Sequence, residues 1–285
     1  MPMRNRWAFC TSTIACAQAF NKGHPMKTVI IIPARYASTR YPGKPLVGLR
    51  GPDGVSKPLI QRSWEAAMAA RGIAEVYVAT DDDRIADAAR GFGAQVIMTS
   101  SEAENGTMRC AEAVANAGIT ADLVINLQGD APLTPPWFVE ALAEAMKTSP
   151  AQCATPVIRC DAETVSHFRE DRRHGRVGGT TAVFDVNMRA LYFSKEVIPY
   201  TPEGDHNPIP VFHHVGIYAY RPAALAAYQG WKMGTLERME GLEQLRFLEN
   251  GMEMACVEVD GKGRVFWELN NPVDVERIES VLAKG

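Results

Sequence analysis

Two regimes of apolar and polar spacing follow one another along the chain. Residues 27–32 (KTVIII) are a β-branched run without polar alternation, the pattern of a parallel strand buried on both faces, and the run stops at Pro33. A loop rich in Arg, Ser, Thr, Pro and Gly follows. Residues 58–70 (PLIQRSWEAAMAA) then show helical spacing, with Leu59, Trp64 and Met68 as core positions. Next come a predicted strand over 75–79, the polar turn Thr80-Asp81-Asp82-Asp83, a helix to about Arg90 and a strand over 94–98. Residues 122–127 (DLVINL) read as a further buried strand, closed by Gln128-Gly129-Asp130. Regular alternation of strand and helix predicts an α/β fold, an open and largely parallel sheet flanked by helices.

Past residue 150 the pattern changes. Strand-like pieces at 153–158, 180–185, 214–220 and 253–259 are mixed with loops rich in Pro, His and Gly. Two helices are predicted there, over 236–249 and from Pro272 to the C-terminus, the latter with Asn271 as cap and Pro272 in the first turn. This half reads as the completion of the same sheet plus an insertion. Residues 1–26 stand apart, with two early arginines and Ala17-Gln18-Ala19 in loose imitation of a signal peptide, interrupted by Thr11, Ser12 and Thr13. The expected organisation is a poorly ordered N-terminal extension over 1–26 and one domain over 27–285, with 27–150 mainly nucleotide-binding.

Composition narrows the field. With 285 residues, 46% of them hydrophobic, the chain can build a sizeable core. Thirty basic against 33 acidic side chains give no basic excess, which argues against a general nucleic-acid or membrane-surface binder. No apolar run approaches the roughly 18 to 20 residues that span a bilayer. The six cysteines form no C-x-x-C pair, so a zinc knuckle or redox motif is not indicated, and their low density suits a reduced, cytoplasmic protein.

In an open α/β sheet ligands bind beyond the carboxyl ends of the strands, so three turns draw attention. The first, residues 33–45, holds Arg35, Arg40 and Lys44 with the hydroxyls of Ser38 and Thr39 and the permissive Gly43. Such a set suits a triphosphate through charge-assisted contacts, although on its own it reads first as a solvated basic loop. It matches neither G-x-G-x-x-G nor G-x-x-x-x-G-K-[ST]. The second turn places Asp130 directly after a buried strand, where one carboxylate can hold Mg²⁺ together with substrate phosphates or simply sit in a tight Gly-Asp turn. The third, Thr80-Asp81, contacts nucleotide or caps the next helix.

Six segments in order, IIPARYASTRYPGKPL (31–46), VATD (78–81), NLQGDAP (126–132), ALYFSKEVIPY (190–200), HHVGIYAYR (213–221) and LERMEGLEQLRFLENG (236–251), resemble the 3-deoxy-manno-octulosonate (Kdo) cytidylyltransferases over residues 27–285. The resemblance implies a three-layer α/β/α nucleotidyltransferase fold, a Rossmann-like, mostly parallel sheet with a dimerisation insertion. It implies transfer of CMP from CTP to an acidic 3-deoxy sugar for lipopolysaccharide or capsule assembly. Carried over by position, Arg35, Ser38, Arg40 and Lys44 would bind the triphosphate. Ala79, Thr80, Asp81, Gly106, Arg109 and Gln128 would complete the nucleotide site. Lys195, His213 or His214, Tyr218, Glu243 and Gln244 would face the sugar, and Asp130 with position 270 would hold Mg²⁺. Arg35, Lys44 and Asp130 would carry the chemistry. A homodimer with contacts around 190–200 is implied as well, so 151–285 would be mainly sugar-binding and dimer contact.

Five positions depart from that pattern. Asn270 stands where the family has a metal-binding Asp, Ala131 where it has an acidic residue, Met108 for Asp or Glu, Thr181 for Lys and Lys195 for Arg. Loss of a carboxylate at 270 should weaken Mg²⁺ binding unless Glu268 or substrate oxygens compensate. The sequence therefore leaves three readings: a Kdo enzyme, an enzyme for a different sugar acid, or a catalytically weak nucleotide-binding relative.

Overall fold

The structure, a computed structural model, describes residues 26–38, 40–177, 179–202, 206–264 and 266–284. The extension expected over 1–26 lies outside them except for Met26, as does Thr39 of the basic loop. In chain order the elements are β1 (Thr28–Ala34), β2 (Gly48–Arg50), β3 (Ser56–Pro58), α1 (Leu59–Met68), β4 (Glu75–Thr80), α2 (Asp83–Gly91), β5 (Gln95–Met98), α3 (Gly106–Ala117), β6 (Leu123–Leu127), α4 (Pro136–Thr148) and β7 (Cys153–Arg159). They continue as α5 (Ala162–Arg173), β8 (Thr180–Phe184), β9 (Ala190–Ser194), β10 (Phe212–His214), β11 (Ile217–Tyr220), α6 (Pro222–Gln229), α7 (Thr235–Glu240), α8 (Leu245–Glu249), β12 (Met254–Glu258) and α9 (Asp274–Leu282).

One sheet runs through both halves of the chain in the order β5-β4-β1-β6-β11-β7-β10-β8-β9, with β12 alongside β7. The β5-β4-β1-β6 portion is parallel, and from β11 onward the neighbours on this path pair antiparallel. β1 sits centrally and is buried along its whole length, which is why it lacks polar alternation. Its alternate side chains serve two cores. Ile30 and Ile32 pack with Ile60, Ile85, Phe138 and Leu142 from α1, α2 and α4, whereas Val29 and Ile31 pack with Cys110, Leu225 and Phe247 from α3, α6 and α8. The result is three layers, α/β/α.

Several local expectations are corrected. β1 continues through Pro33 to Ala34, because the β6 ladder ends at Ile31 and the missing Pro N–H falls where only β4 is alongside. Met68 is exposed at the end of α1, while Trp64 is half-buried against Phe92. The run 214–220 is two strands broken at Val215-Gly216. The helix expected over 236–249 is α7 and α8, separated at Gly241, whose φ of 62° ends α7 in the left-handed region. α5 and α6 add to the two helices expected in that half. Asn271 does not cap the last helix: α9 begins at Asp274, whose carboxylate accepts from the N–H groups of Asn270 (3.0 Å) and Asn271 (2.7 Å). Cys110, Cys153, Cys160 and Cys256 are buried free thiols. No helix among the described residues is long and apolar enough to cross a membrane.

Candidate active site

The loop after β1 is shaped by Gly43. Its φ is 72°, its N–H donates to the Tyr36 carbonyl at 2.9 Å, and a Cβ there would stand 3.0 Å from the Tyr36 ring. This turn delivers Lys44, whose ammonium donates to the Asp130 carboxylate and to the Leu269 carbonyl at 3.2 Å. The Leu269 N–H in turn donates to the Asp130 carbonyl at 2.9 Å, and Arg40 donates to the Asn270 side-chain oxygen at 2.9 Å. Three segments distant in sequence are thereby joined. Leu49, Leu59, Leu269 and Ile278 form a small apolar cluster that carries the segment before α9. Half-buried Glu268 lies near Asp130, and burial together with the Asp130 charge pushes its carboxyl well above the ordinary range. Arg35 and Arg40 are exposed beyond the end of β1, and Ser38 Oγ accepts from the Tyr41 N–H at a long 3.5 Å.

A second group gathers around the N-terminus of α3. Asn105 caps that helix by accepting from the Met108 N–H at 2.9 Å. Gly106 opens it with no room for a side chain, since a Cβ would lie 3.0 Å from Gln128 Nε2 and 3.3 Å from Asn126 Nδ2. Glu243 accepts from the Thr107 N–H at 3.0 Å and from Gln128 Nε2 at 3.3 Å, and burial raises its carboxyl pKa. Next to it the buried Gln244 accepts from the Tyr218 hydroxyl at 3.1 Å. Glu243 and Gln244 thus stand in the break before α8, not on the exposed face of one long helix.

The two histidines part company on β10. His214 points to the face that carries Tyr218, its ring 5.6 Å from the Tyr218 ring and its Nδ1 3.1 Å from Thr180 Oγ1. His213 points to the opposite face, against Phe168 and Phe266. Burial lowers His213 to about 4, helped by Arg172, and lowers His214 to about 3, helped by His213, so both rings are neutral at pH 7. The Lys195 N–H donates to Glu240 at 2.8 Å, and its ammonium lies beside Gly241, in the turn leading to Glu243.

Other residues expected at the nucleotide site lie at the end of β4 and in the first turn of α3. Ala79 and Thr80 are fully buried at the end of β4. Asp82, one residue on from Thr80-Asp81, caps α2. Asp81 pairs at 3.3 Å with Arg109, which is 2% exposed, also donates to Thr99 and Ser100, and has its pKa lowered by burial against the pull of Asp81. Thr181 donates to the Glu196 carbonyl, and Ala131 is packed in the core. Sequence reasoning passed over Arg246, which is 1% exposed and donates to Glu237 at 2.6 and 2.8 Å and to Glu104 at 3.0 Å. These bonds tie α8 to α7 and to the loop before α3. Charged partners nine and 142 positions apart leave no periodic signal to read.

Asp130, Glu268 and the Asn270 carbonyl oxygen provide the hard oxygen donors that Mg²⁺ prefers. Among the described residues no group of three or more His, Cys, Asp or Glu could hold a metal. The donors therefore fit an ion that completes its shell with water and substrate phosphate.

A sheet whose strand ends set a lysine against an aspartate, next to a buried polar cluster, has the layout of a nucleotidyltransferase. Residues 29–254 match the cytidylyltransferase family, and the chain belongs to that family. It is 42% identical over 259 residues to the 3-deoxy-manno-octulosonate cytidylyltransferase of Maricaulis maris, covering 90% of this chain and 98% of that one. It is 39% identical to the 8-amino-3,8-dideoxy-manno-octulosonate cytidylyltransferase of Shewanella sediminis, covering 90% and 99%. Among solved structures, a CMP:2-keto-3-deoxy-manno-octonic acid synthetase complexed with CTP superimposes with a TM-score of 0.77 at 36% identity, covering 90% of this chain and 99% of that chain.

Proposed function

We propose that the protein transfers the CMP moiety of CTP to a 3-deoxy-2-ulosonic acid, with Kdo as the first candidate, giving the CMP-sugar and pyrophosphate. The observation that carries this reading is the adjacency of two opposite environments. Lys44 is bonded to Asp130 and Arg40 to Asn270 beyond the ends of β1 and β6, and Gln128, two residues before Asp130, is bonded into the buried polar cluster of Glu243, Gln244, Tyr218 and His214. A triphosphate suits the first environment and a polyhydroxylated sugar the second.

In the proposed reaction the anomeric oxygen forms a bond to the α-phosphorus, the bond from that phosphorus to the bridging oxygen breaks, and pyrophosphate leaves with the electron pair. The anomeric hydroxyl releases its proton to solvent. Arg35, Arg40 and Lys44 neutralise the triphosphate, and Gln128 orients the substrates. Asp130, Asn270 and Glu268 are the residues that would hold Mg²⁺, which when bound neutralises phosphate charge. Lys195 is the candidate partner of the sugar carboxylate. A homodimer is proposed on the resemblance, and the exposed Leu191 on the edge strand β9 is compatible with it. A cytoplasmic site of action, feeding lipopolysaccharide or capsule assembly, belongs to the same proposal.

A second reading, a different sugar acid, is favoured by Thr181 and Lys195 and by the relatives named for the 8-amino sugar. Pyrophosphate release with CTP, Mg²⁺ and a panel of sugar acids separates the two. Release with Kdo supports the first reading, release only with another acid supports the second, and CTP binding without release from any acid contradicts both.

A further inference from the structure

Asn126 has no evident role in holding the fold together. It lies on β6 between Ile125 and Leu127, opposite Tyr218 on β11, and it is fully buried. Among the described residues neither atom of its carboxamide has a hydrogen-bond partner. A buried carboxamide offers two donors and an acceptor oxygen, and leaving them unpaired is costly, whereas an aliphatic side chain would suit this central strand. Two further unpaired groups belong to the same face. Gln244 has its oxygen engaged by the Tyr218 hydroxyl but its Nε2 free, and His214 has Nδ1 beside Thr180 but its Nε2 free. Gln244 is 1% exposed and His214 5%.

All three groups are neutral. Unpaired neutral donors and acceptors match hydroxyl groups, which both give and take hydrogen bonds, better than they match phosphate or carboxylate, which would seek cations. We infer that Asn126 is a specificity-determining residue for the acceptor sugar, its carboxamide pairing with a sugar hydroxyl while Gln244 Nε2 and His214 Nε2 complete the same cradle. The inference rests on the proposed function and adds a residue to it. Both amide atoms are closed off from solvent, with Gly106 close above Nδ2 and Gln128 flanking the same point. A sugar hydroxyl would reach Asn126 only after its neighbours move, and the Gln128 amide beside it is held by a 3.3 Å bond to Glu243.

The test compares wild type with Asn126→Leu and Asn126→Ala in steady-state kinetics, CTP-binding calorimetry and thermal melts. The expected result is a KM for the sugar raised about tenfold or more, with CTP affinity within about twofold and, for Asn126→Leu, a melting temperature unchanged or higher. An unchanged sugar KM in a folded variant overturns the inference. So does a joint loss of CTP binding and thermal stability in both variants, which would mark Asn126 as structural. A wild-type protein inactive with every 3-deoxy-2-ulosonic acid would overturn the proposed function first, and the inference with it.

Discussion

The Lys44 ammonium donates at once to the Asp130 carboxylate and to the Leu269 carbonyl. One cation therefore fixes the loop after β1, the turn after β6 and the segment before α9. The Lys44 and Asp130 side chains are 15% and 22% exposed, so the pair is partly desolvated yet open to substrate. In the proposed reaction a triphosphate would compete with Asp130 for Lys44, and its arrival would free the carboxylate for a cation.

Asp130→Ala is expected to lower turnover by about a thousandfold or more while the protein stays folded. Pyrophosphate release and far-ultraviolet circular dichroism measure the two sides. A variant with full activity would remove Asp130 from the site.

Asn270→Asp adds a carboxylate next to Asp130 while keeping an oxygen acceptor for Arg40. It should lower the Mg²⁺ concentration for half-maximal activity, by about tenfold, because affinity for hard cations follows ligand charge. Titration of activity with Mg²⁺, paired with direct Mn²⁺ binding, reads the change.

The histidine pair predicts acid lability. Both rings have folded pKa values below that of the unfolded chain, about 4 for His213 and about 3 for His214. Between pH 6.5 and 4 the unfolded state binds more protons, so stability is full above pH 6.5 and falls as the solution is acidified. Replacing His213 by Phe should flatten this slope, leaving the melting temperature at pH 5 higher relative to wild type by roughly 3–8 °C, with a smaller difference at pH 7.5. Equal slopes in melts across this range would contradict it.

Arg246→Ala strands Glu237, itself 3% exposed, without its cation. Loss of one partner of a buried pair costs about 3–5 kcal/mol, so the melting temperature should fall by roughly 10 °C. Denaturant unfolding measures this directly. Because α8 carries Arg246 and follows Glu243-Gln244, the sugar KM should rise before the CTP KM does.

The strands of the parallel half were legible because β1, β4 and β6 are short, mostly apolar runs inside a covered sheet. So were the loops at their ends, since a strand that stops at Gln128-Gly129-Asp130 must turn there. The break at Gly241 was not, because a glycine within helical spacing is read as tolerated until its φ is known. Nor was the separation of His213 from His214, which depends on β10 being a strand with alternating faces that already includes His213. The pairing of Arg109 with Asp81, and of Arg246 with Glu237 and Glu104, arises from tertiary approach and has no spacing rule behind it.

Transfer of CMP to a 3-deoxy-2-ulosonic acid can be followed by ³¹P nuclear magnetic resonance of the protein with CTP, Mg²⁺ and Kdo. A new phosphodiester resonance should grow with an equimolar amount of inorganic pyrophosphate, and neither signal should appear when Kdo is omitted. CTP remaining intact in the presence of Kdo and the other 3-deoxy-2-ulosonic acids, with the protein folded, would contradict it.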